Sequence, residues 1–176
     1  MPFSSTTIFL IGYRGTGKSA VARLVAERLG WQDLDMDALI ESRRGLSIRE
    51  MFAQEGEAAF RRLECDLLRE IAALPRHVVA TGGGVILDAD NRACLQSSGQ
   101  VIWLTAKPET LWQRISQDAT TWERRPDLGV GGLAEIEHLL QVREPYYRQC
   151  ANFIVATDDR TPEEVAREIL TQVNRE

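Results

Sequence analysis

The sequence is poor in the residues on which disulfide-rich and metal-dependent folds rely. It contains three cysteines (Cys65, Cys94 and Cys150) and two histidines (His77 and His138) among 176 residues. The cysteines are odd in number, and no pair has the close spacing of metal ligands. Neither a disulfide framework nor a zinc site is therefore expected. We expect free thiols in a reducing, cytoplasmic environment.

Long apolar runs and an excess of positive charge are also missing. The apolar run at residues 8–11 is too short for the core of a signal peptide or for a membrane span, so no membrane association is expected. Lys and Arg number 21 against 26 Asp and Glu, which gives a net charge of −5. An acidic chain lacks the basic surface typical of nucleic-acid-binding proteins. A small anionic ligand is not excluded, because it needs only a local cluster of positive charge.

Strand-like segments alternate with helix-like segments along the chain. Apolar and β-branched runs predict strands at residues 6–11, 31–35, 78–81, 101–105 and 152–156. Helical spacing, caps and prolines predict helices at residues 18–29, 37–44, 57–74, 88–96, 108–117 and 133–148, and capping boxes at residues 47–50 and 161–164. This alternation predicts an α/β fold with a mainly parallel sheet, and the length predicts one domain over residues 1–176.

Two places depart from this regular pattern. Residues 118–132 are polar, without a clear period, and longer than an ordinary loop, which indicates either a functional lid or disorder. Pro145 falls inside the last long helical segment, so we expect that helix to be interrupted there. In such a fold the ligand site lies at the carboxyl ends of the strands.

Residues 12–19, with the sequence GYRGTGKS, match the phosphate-binding loop G-x-x-x-x-G-K-[ST]. The motif lies between a predicted strand and a predicted helix, which is the context it requires. Its glycines let backbone N–H groups face phosphate oxygens, and the helix N-terminus favours an anion. Lys18 would reach the β- and γ-phosphates, and Ser19 would hold Mg²⁺ through its hydroxyl.

An acidic run follows the second predicted strand, at residues 33–37. Because alternate residues of an extended chain point to opposite faces, Asp35 and Asp37 share one side. One carboxylate could bind the metal while the other orients and deprotonates an attacking hydroxyl. The alternative is a helix cap followed by a solvated helix start.

Arg61 and Glu64 are three residues apart on a predicted helix and therefore share a face. They form either an ordinary surface ion pair or a guanidinium that Glu64 orients toward a substrate carboxylate. The glycines at residues 82–84 follow a strand, where they either form a tight turn or expose backbone N–H groups to a ligand.

Two further groups of arginines stand out. Arg124 and Arg125 lie in the long polar segment, where a mobile arginine would neutralise charge on a transferring phosphoryl group. The segment at residues 143–148, with the sequence REPYYR, places two guanidinium groups around Pro145. Its alternative interpretation is a solvated kink.

In this combination and order, the motifs resemble the shikimate kinase family, within the nucleoside-monophosphate-kinase-like group of P-loop enzymes. The resemblance spans residues 8 to 170 and rests on residues 12–19, 34–37, 40–41, 60–64, 81–84, 125–126 and 143–148. It implies a three-layer sandwich, in which a five-stranded parallel sheet carries helices on both faces and residues 118–132 form a lid.

The resemblance implies that the protein transfers the γ-phosphoryl of ATP to the 3-hydroxyl of shikimate, with Mg²⁺ as cofactor. A monomer without nucleic-acid or membrane partners is expected. Two alternatives remain open. One is another small-molecule P-loop kinase, acting on gluconate or a nucleoside monophosphate; the other is a non-catalytic relative that binds ATP.

The resemblance also implies a role for each site residue. The ATP-binding set is Gly12, Gly15, Thr16, Gly17, Lys18, Ser19, Arg114, Arg125 and Pro162. Arg114 would stack on the adenine opposite Pro162, and Ser19 and Asp35 would hold Mg²⁺. The substrate-binding set is Asp37, Arg61, Gly82, Gly83 and Arg143, with Glu64 orienting Arg61. The catalytic set is Lys18, Asp37 and the lid arginine Arg125.

The lid is where the sequence departs from the family. Asp127 follows Pro126, where the family more often has leucine. The register of the lid is therefore open, and Arg124 could take the role assigned to Arg125.

Overall fold

The structure is a computed structural model that describes residues 7–118 and 131–173. Arg124, Arg125 and most of the predicted lid lie outside the described residues. The strands are β1 (Thr7–Ile11), β2 (Gln32–Asp35), β3 (His77–Ala80), β4 (Gly99–Thr105) and β5 (Phe153–Ala156). The helices are α1 (Lys18–Leu29), α2 (Met36–Arg44), α3 (Ile48–Glu55), α4 (Glu57–Ala72), α5 (Ala89–Ser98), α6 (Pro108–Gln117), α7 (Leu133–Cys150) and α8 (Pro162–Val173), with a short 3₁₀ helix at Val85–Leu87.

The strands form one parallel sheet in the order β2-β3-β1-β4-β5. Every residue of the central strand β1 is buried, because helices cover both faces of the sheet. Ile8 and Leu10 pack with α1 and α8, whereas Phe9 and Ile11 pack with residues of α2 to α5 and of α7. The predicted three-layer arrangement with a five-stranded parallel sheet is confirmed.

The sheet register brings the sequence motifs to one edge. Leu10 of β1 and Asp35 of β2 both pair with Ala80 of β3. The chain therefore leaves these neighbouring strands at the same level, into the phosphate loop, the acidic run and the three glycines at residues 82–84 (the triple glycine). As expected for a parallel α/β sheet, the chemistry lies beyond the carboxyl ends of the strands.

The interruption predicted at Pro145 is wrong, because α7 continues through the proline. Arg143, Tyr147 and Cys150 are buried at intervals of four and three residues. That spacing places them on one face of the helix. Tyr147 and Cys150 pack in the core with residues of β4, and Arg143 lies beside Gly83 and Tyr13. This packing holds the helix in place on both sides of the proline and outweighs the loss of one backbone N–H donor.

Helix bounds and helix caps were predicted more reliably than the effect of Pro145. The predicted bounds of α1 and α6 match the structure, Gly30 caps α1 in a left-handed conformation, and the capping box of Ser47 and Glu50 is present. Across residues 7–118 and 131–173, no helix combines the length and the apolar character that crossing a membrane requires.

Candidate active site

The phosphate loop connects β1 to α1 and depends on glycine at two places in particular. Gly12 has a φ of +143°, and a side chain there would collide with the carbonyl oxygen of Leu104. Gly17, which precedes α1, has a φ of +89°. Only glycine adopts such conformations without strain. The path of the loop backbone therefore requires glycine at these two positions of the motif.

The side chain of Lys18 is hydrogen-bonded to the backbone of the phosphate loop. Its Nζ donates to the carbonyl oxygens of Gly12 at 2.8 Å and Tyr13 at 3.0 Å, and the residue is largely buried. The ammonium group thus lies beside the N-terminus of α1, where the helix dipole also favours an anion.

A cavity of about 440 Å³ opens beside this loop. Its walls bring together residues from four separate parts of the chain, including Lys18, Ser19, Asp35, Asp37, Gly83 and Arg114. These six residues, which the sequence analysis assigned to ATP, Mg²⁺ or the acceptor, therefore line one cavity.

Asp35 lies at the end of β2, and both of its carboxylate oxygens accept hydrogen bonds. Its Oδ2 accepts a hydrogen bond from the hydroxyl of Ser19, and its Oδ1 accepts one from the backbone N–H of Ala38 at 3.0 Å. The second bond makes Asp35 the N-cap of α2. Asp37 lies in the first turn of α2, is half-buried and lines the same cavity.

The hydroxyl of Ser19 and the carboxylate of Asp35 are hard oxygen donors of the kind that Mg²⁺ prefers. Within the described part of the chain, no group of three or more His, Cys, Asp and Glu residues could hold a metal ion. The two oxygens fit a metal whose remaining ligands are phosphate and water.

Arg61 on α4 is fixed by two carboxylates. Its Nη1 donates to Oε2 of Glu64 at 2.7 Å, and its Nε and Nη2 donate to Oε1 of Glu57 at 3.3 and 3.2 Å. Burial alone would lower the pKa of the guanidinium, but Glu64 and Glu57 raise the pKa above its usual value. A Cβ on Gly84 would lie 2.5 Å from Nη1 of Arg61, so the guanidinium packs directly on the glycine backbone.

Arg143 on α7 lies against the preceding glycine, Gly83. It is 8% exposed, and its Nη1 is 3.7 Å from the position that a Cβ on Gly83 would take. Its guanidinium carbon is 5.6 Å from the ring centroid of Tyr13. Arg61 and Arg143 therefore lie against consecutive residues of the triple glycine, although 82 residues separate them (143 − 61).

Arg114 on α6 links the phosphate loop to the end of β5. Its Nη1 donates to the carbonyl oxygen of Gly15 at 3.1 Å and to Oγ1 of Thr157 at 3.0 Å. Its Nη2 donates to the carbonyl oxygen of Thr157 at 2.7 Å. Pro162, the first residue of α8, is not among the described residues that line the cavity, so its place opposite Arg114 on the adenine stays a prediction.

Three residues at the site were not predicted. Arg14, at a variable position of the loop motif, lines the cavity. Thr157 anchors Arg114, and its position directly after β5 was an available signal. Tyr147 donates from its buried hydroxyl to the carbonyl oxygen of Gly83. Its spacing of four residues from Arg143 on one helix was the signal for its position.

The fold and this site define a P-loop phosphotransferase, because the phosphate loop, the paired carboxylates and the guanidinium groups meet at one edge of a parallel sheet. A family model described as shikimate kinase matches residues 14–174. The chain belongs to the shikimate kinase family, as the motifs indicated.

Individual relatives agree with this assignment. A shikimate kinase from Rhodopirellula baltica is 42% identical over 164 residues, which cover 93% of this chain and 88% of that protein. A shikimate kinase from Acinetobacter baumannii, solved in complex with shikimate, has a TM-score of 0.91 at 35% identity and covers 98% of this chain and 94% of its own. A gluconokinase from Sinorhizobium meliloti shares the fold alone, with a TM-score of 0.61 at 16% identity over 98% of this chain and 94% of its own.

Proposed function

We propose that the protein transfers the γ-phosphoryl group of ATP to the 3-hydroxyl of shikimate, giving shikimate 3-phosphate and ADP. The observation that carries this proposal is the placement of Arg61 and Arg143 against the triple glycine, beside the cavity that holds Asp37 and Lys18. Shikimate has one carboxylate and several hydroxyls. A guanidinium recognises a carboxylate through paired hydrogen bonds, and a carboxylate accepts hydrogen bonds from hydroxyls.

ATP would bind along the phosphate loop. Backbone N–H groups from Gly12 to Ser19 would contact the phosphates, and Lys18 would stabilise the charge that develops on the β- and γ-phosphates. Arg114 and Pro162 would enclose the adenine. Arg125, or Arg124 in its place, would close over the phosphates and exclude water, which limits wasteful hydrolysis.

Mg²⁺ would be held by Ser19 and Asp35, whose oxygens meet at the cavity wall. When bound, the ion neutralises charge on the transferred phosphoryl group and on the departing phosphate.

In the transfer step, Asp37 would orient the attacking hydroxyl and accept its proton. The hydroxyl oxygen forms a bond to the γ-phosphorus while the bond to the β,γ-bridging oxygen breaks, and ADP leaves with that electron pair. Arg61, oriented by Glu64, would hold the shikimate carboxylate together with Arg143, and the backbone of Gly82 and Gly83 would contact the ring substituents. Positioning and electrostatic stabilisation supply most of the catalysis in such transfers.

We also propose that the protein is active as a monomer, as a single domain in the cytoplasm. Size-exclusion chromatography with light scattering at assay concentration tests the oligomeric state. A dimer that loses activity on dilution would contradict it.

Because gluconate also combines a carboxylate with hydroxyls, the choice of acceptor is the decisive experiment. The enzyme is incubated with MgATP and, separately, shikimate, gluconate or nucleoside monophosphates, and phosphorylated products are separated by anion exchange. Among these acceptors, we expect only shikimate to give a phosphorylated product. A phosphorylated product from gluconate or a nucleotide, with none from shikimate, would overturn the proposal.

A further inference from the structure

Helix α7 contacts the triple glycine at a second point besides Arg143. Tyr147 is fully buried, and its hydroxyl donates to the carbonyl oxygen of Gly83 at 2.5 Å. Its ring stacks on Trp103 of β4, with the centroids 5.5 Å apart and the planes inclined by 18°. The donor is therefore attached to a side chain that packing holds in one place.

The bond from Tyr147 differs from the other bonds that the triple glycine accepts. The carbonyl oxygen of Gly82 accepts from the N–H of Val85 at 3.2 Å, and that of Gly84 accepts from the N–H of Leu87 at 3.1 Å. Both are local bonds of the 3₁₀ turn, whereas the Gly83 carbonyl is held by a residue 64 positions away. Glycine peptides rotate at little steric cost, so a distant donor can decide which way this one faces.

The orientation of one peptide fixes what it presents on both sides. In a planar trans peptide, the carbonyl of Gly83 and the N–H of Gly84 point in opposite directions. By drawing the carbonyl toward α7, Tyr147 turns the N–H of Gly84 away from that helix. Gly83 also lines the cavity, and Arg61 packs on Gly84, so one hydroxyl sets the backbone between the two guanidinium groups.

We propose that Tyr147 is a positioning residue for the acceptor. Through the Gly83–Gly84 peptide, its hydroxyl holds the triple glycine in the form that binds the acceptor between Arg61 and Arg143. The inference rests on the proposed function, since it assumes that shikimate binds there. Tyr147 itself is buried behind the glycine and acts through it.

Replacement of Tyr147 by phenylalanine tests the proposal, because it removes the hydroxyl and keeps the ring. We expect the KM for shikimate to rise about tenfold, the effect of losing one buried hydrogen bond, while the KM for ATP and kcat change less than about twofold. Tyr146→Phe is the matched control: Tyr146 is the adjacent residue, lies at the surface with its ring centroid 4.6 Å from the guanidinium carbon of Arg92, and loses the same atom. Its kinetic constants should equal those of the wild type.

A second variant separates the hydroxyl from general packing. Trp103→Phe weakens the ring stack with Tyr147 but keeps an aromatic ring at that position and leaves the hydroxyl, so we expect a lower Tm and a rise of less than about twofold in the KM for shikimate. The proposal is overturned if Tyr147→Phe binds shikimate like the wild type. It is also overturned if Trp103→Phe has a Tm similar to that of Tyr147→Phe and raises the KM for shikimate by the same factor. A wild-type enzyme that does not phosphorylate shikimate would instead refute the proposed function.

A measurement on the wild-type enzyme applies whatever the stability of the variants. NMR should show a Tyr147 hydroxyl proton that exchanges slowly with water, and the ¹⁵N-glycine resonance of Gly84 should shift when shikimate is added. Fast exchange of the hydroxyl proton, or a Gly84 resonance insensitive to shikimate, would contradict the proposal.

Discussion

At the scale of single residues, Arg61 owes its orientation to two carboxylates of very different exposure. The side chain of Glu64 is 1% exposed and that of Glu57 is 52% exposed. A charged hydrogen bond to a buried partner contributes far more than a solvated ion pair. Glu64 is therefore the residue that holds the guanidinium.

We expect Glu64→Gln to raise the KM for shikimate about tenfold and to lower the free energy of unfolding by about 1–3 kcal/mol, because it removes the buried charge that Arg61 faces. Steady-state kinetics and urea unfolding measure the two effects. Glu57→Gln is the matched control and should change the KM less than about twofold. Equal effects of the two variants would show that burial does not distinguish these carboxylates.

Asp37 is assigned the proton of the attacking hydroxyl, and Asp37→Asn removes that acceptor while keeping the side chain's shape. We expect kcat to fall by about 10²–10⁴, with the Kd for ATP unchanged, as measured by steady-state kinetics and by calorimetry. Asp33→Asn, an exposed carboxylate of the same acidic run, should leave kcat unaltered. Retained turnover in Asp37→Asn would refute the role of Asp37 as base.

At the scale of elements, the residue that precedes α2 has two roles, because Asp35 caps the helix and also contacts Ser19. Asparagine caps a helix about as well as aspartate. We therefore expect Asp35→Asn to keep the Tm but to raise the Mg²⁺ concentration for half-maximal velocity at least about tenfold. Asp35→Ala should do the same to Mg²⁺ and also cost about 1 kcal/mol of stability. An unchanged Mg²⁺ requirement in both variants would remove Asp35 from the metal site.

Helix α7 carries an interior proline in an exposed position. Pro145→Ala restores a backbone N–H that can donate to the carbonyl of Gln141, so we expect the free energy of unfolding to rise by about 2 kcal/mol. Gln149→Ala, an exposed change on the same helix, should stay within about 0.5 kcal/mol of the wild type in thermal or urea unfolding. A destabilised Pro145→Ala would mean that the proline's rigidity outweighs the missing bond.

Sequence signals that span one turn or one strand identified the elements well. The left-handed cap at Gly30, the capping box at Ser47 and the Arg61–Glu64 pair all depend on residues at most a few positions apart. The continuity of α7 could not be predicted in the same way, because packing of its buried face decides it.

The site likewise combines residues that local motifs identify with residues that only the tertiary fold brings together. The phosphate loop and the acidic run could be identified directly, whereas the role of Arg143 came from the family resemblance. The bond from Tyr147 to Gly83 joins residues 64 positions apart, and that from Arg114 to Thr157 joins residues 43 positions apart. The local sequence indicates where Tyr147 and Thr157 lie, but only the tertiary fold shows which residue each of them contacts.

At the scale of the whole molecule, the net charge of −5 coexists with a local concentration of positive charge. Lys18 and Arg114 line the cavity, and Arg61 and Arg143 lie against the triple glycine beside it. The acidity of the chain is therefore no obstacle to binding the anionic ATP and a carboxylate, because the fold gathers cations at one edge of the sheet.

Burial raises the pKa of the Cys150 thiol from 9.0 to about 11. Because the folded state favours the protonated thiol, its contribution to stability is complete below pH 9 and is lost as the pH rises through about 11. We expect the Tm to fall over this range, and to fall less steeply in Cys150→Ala, when both are measured by differential scanning fluorimetry against pH. The half-buried Cys65 offers a control, since Cys65→Ala should keep more of the wild-type slope. Identical slopes for wild type and Cys150→Ala would contradict this account.

The claim that ATP and shikimate meet at one edge of the sheet is tested most directly by coupled measurement of ADP release from MgATP with and without shikimate. We expect ADP release to be slow without the acceptor and to rise by orders of magnitude, to saturation, when shikimate is added. A rate of ADP release that is the same with and without shikimate would contradict it.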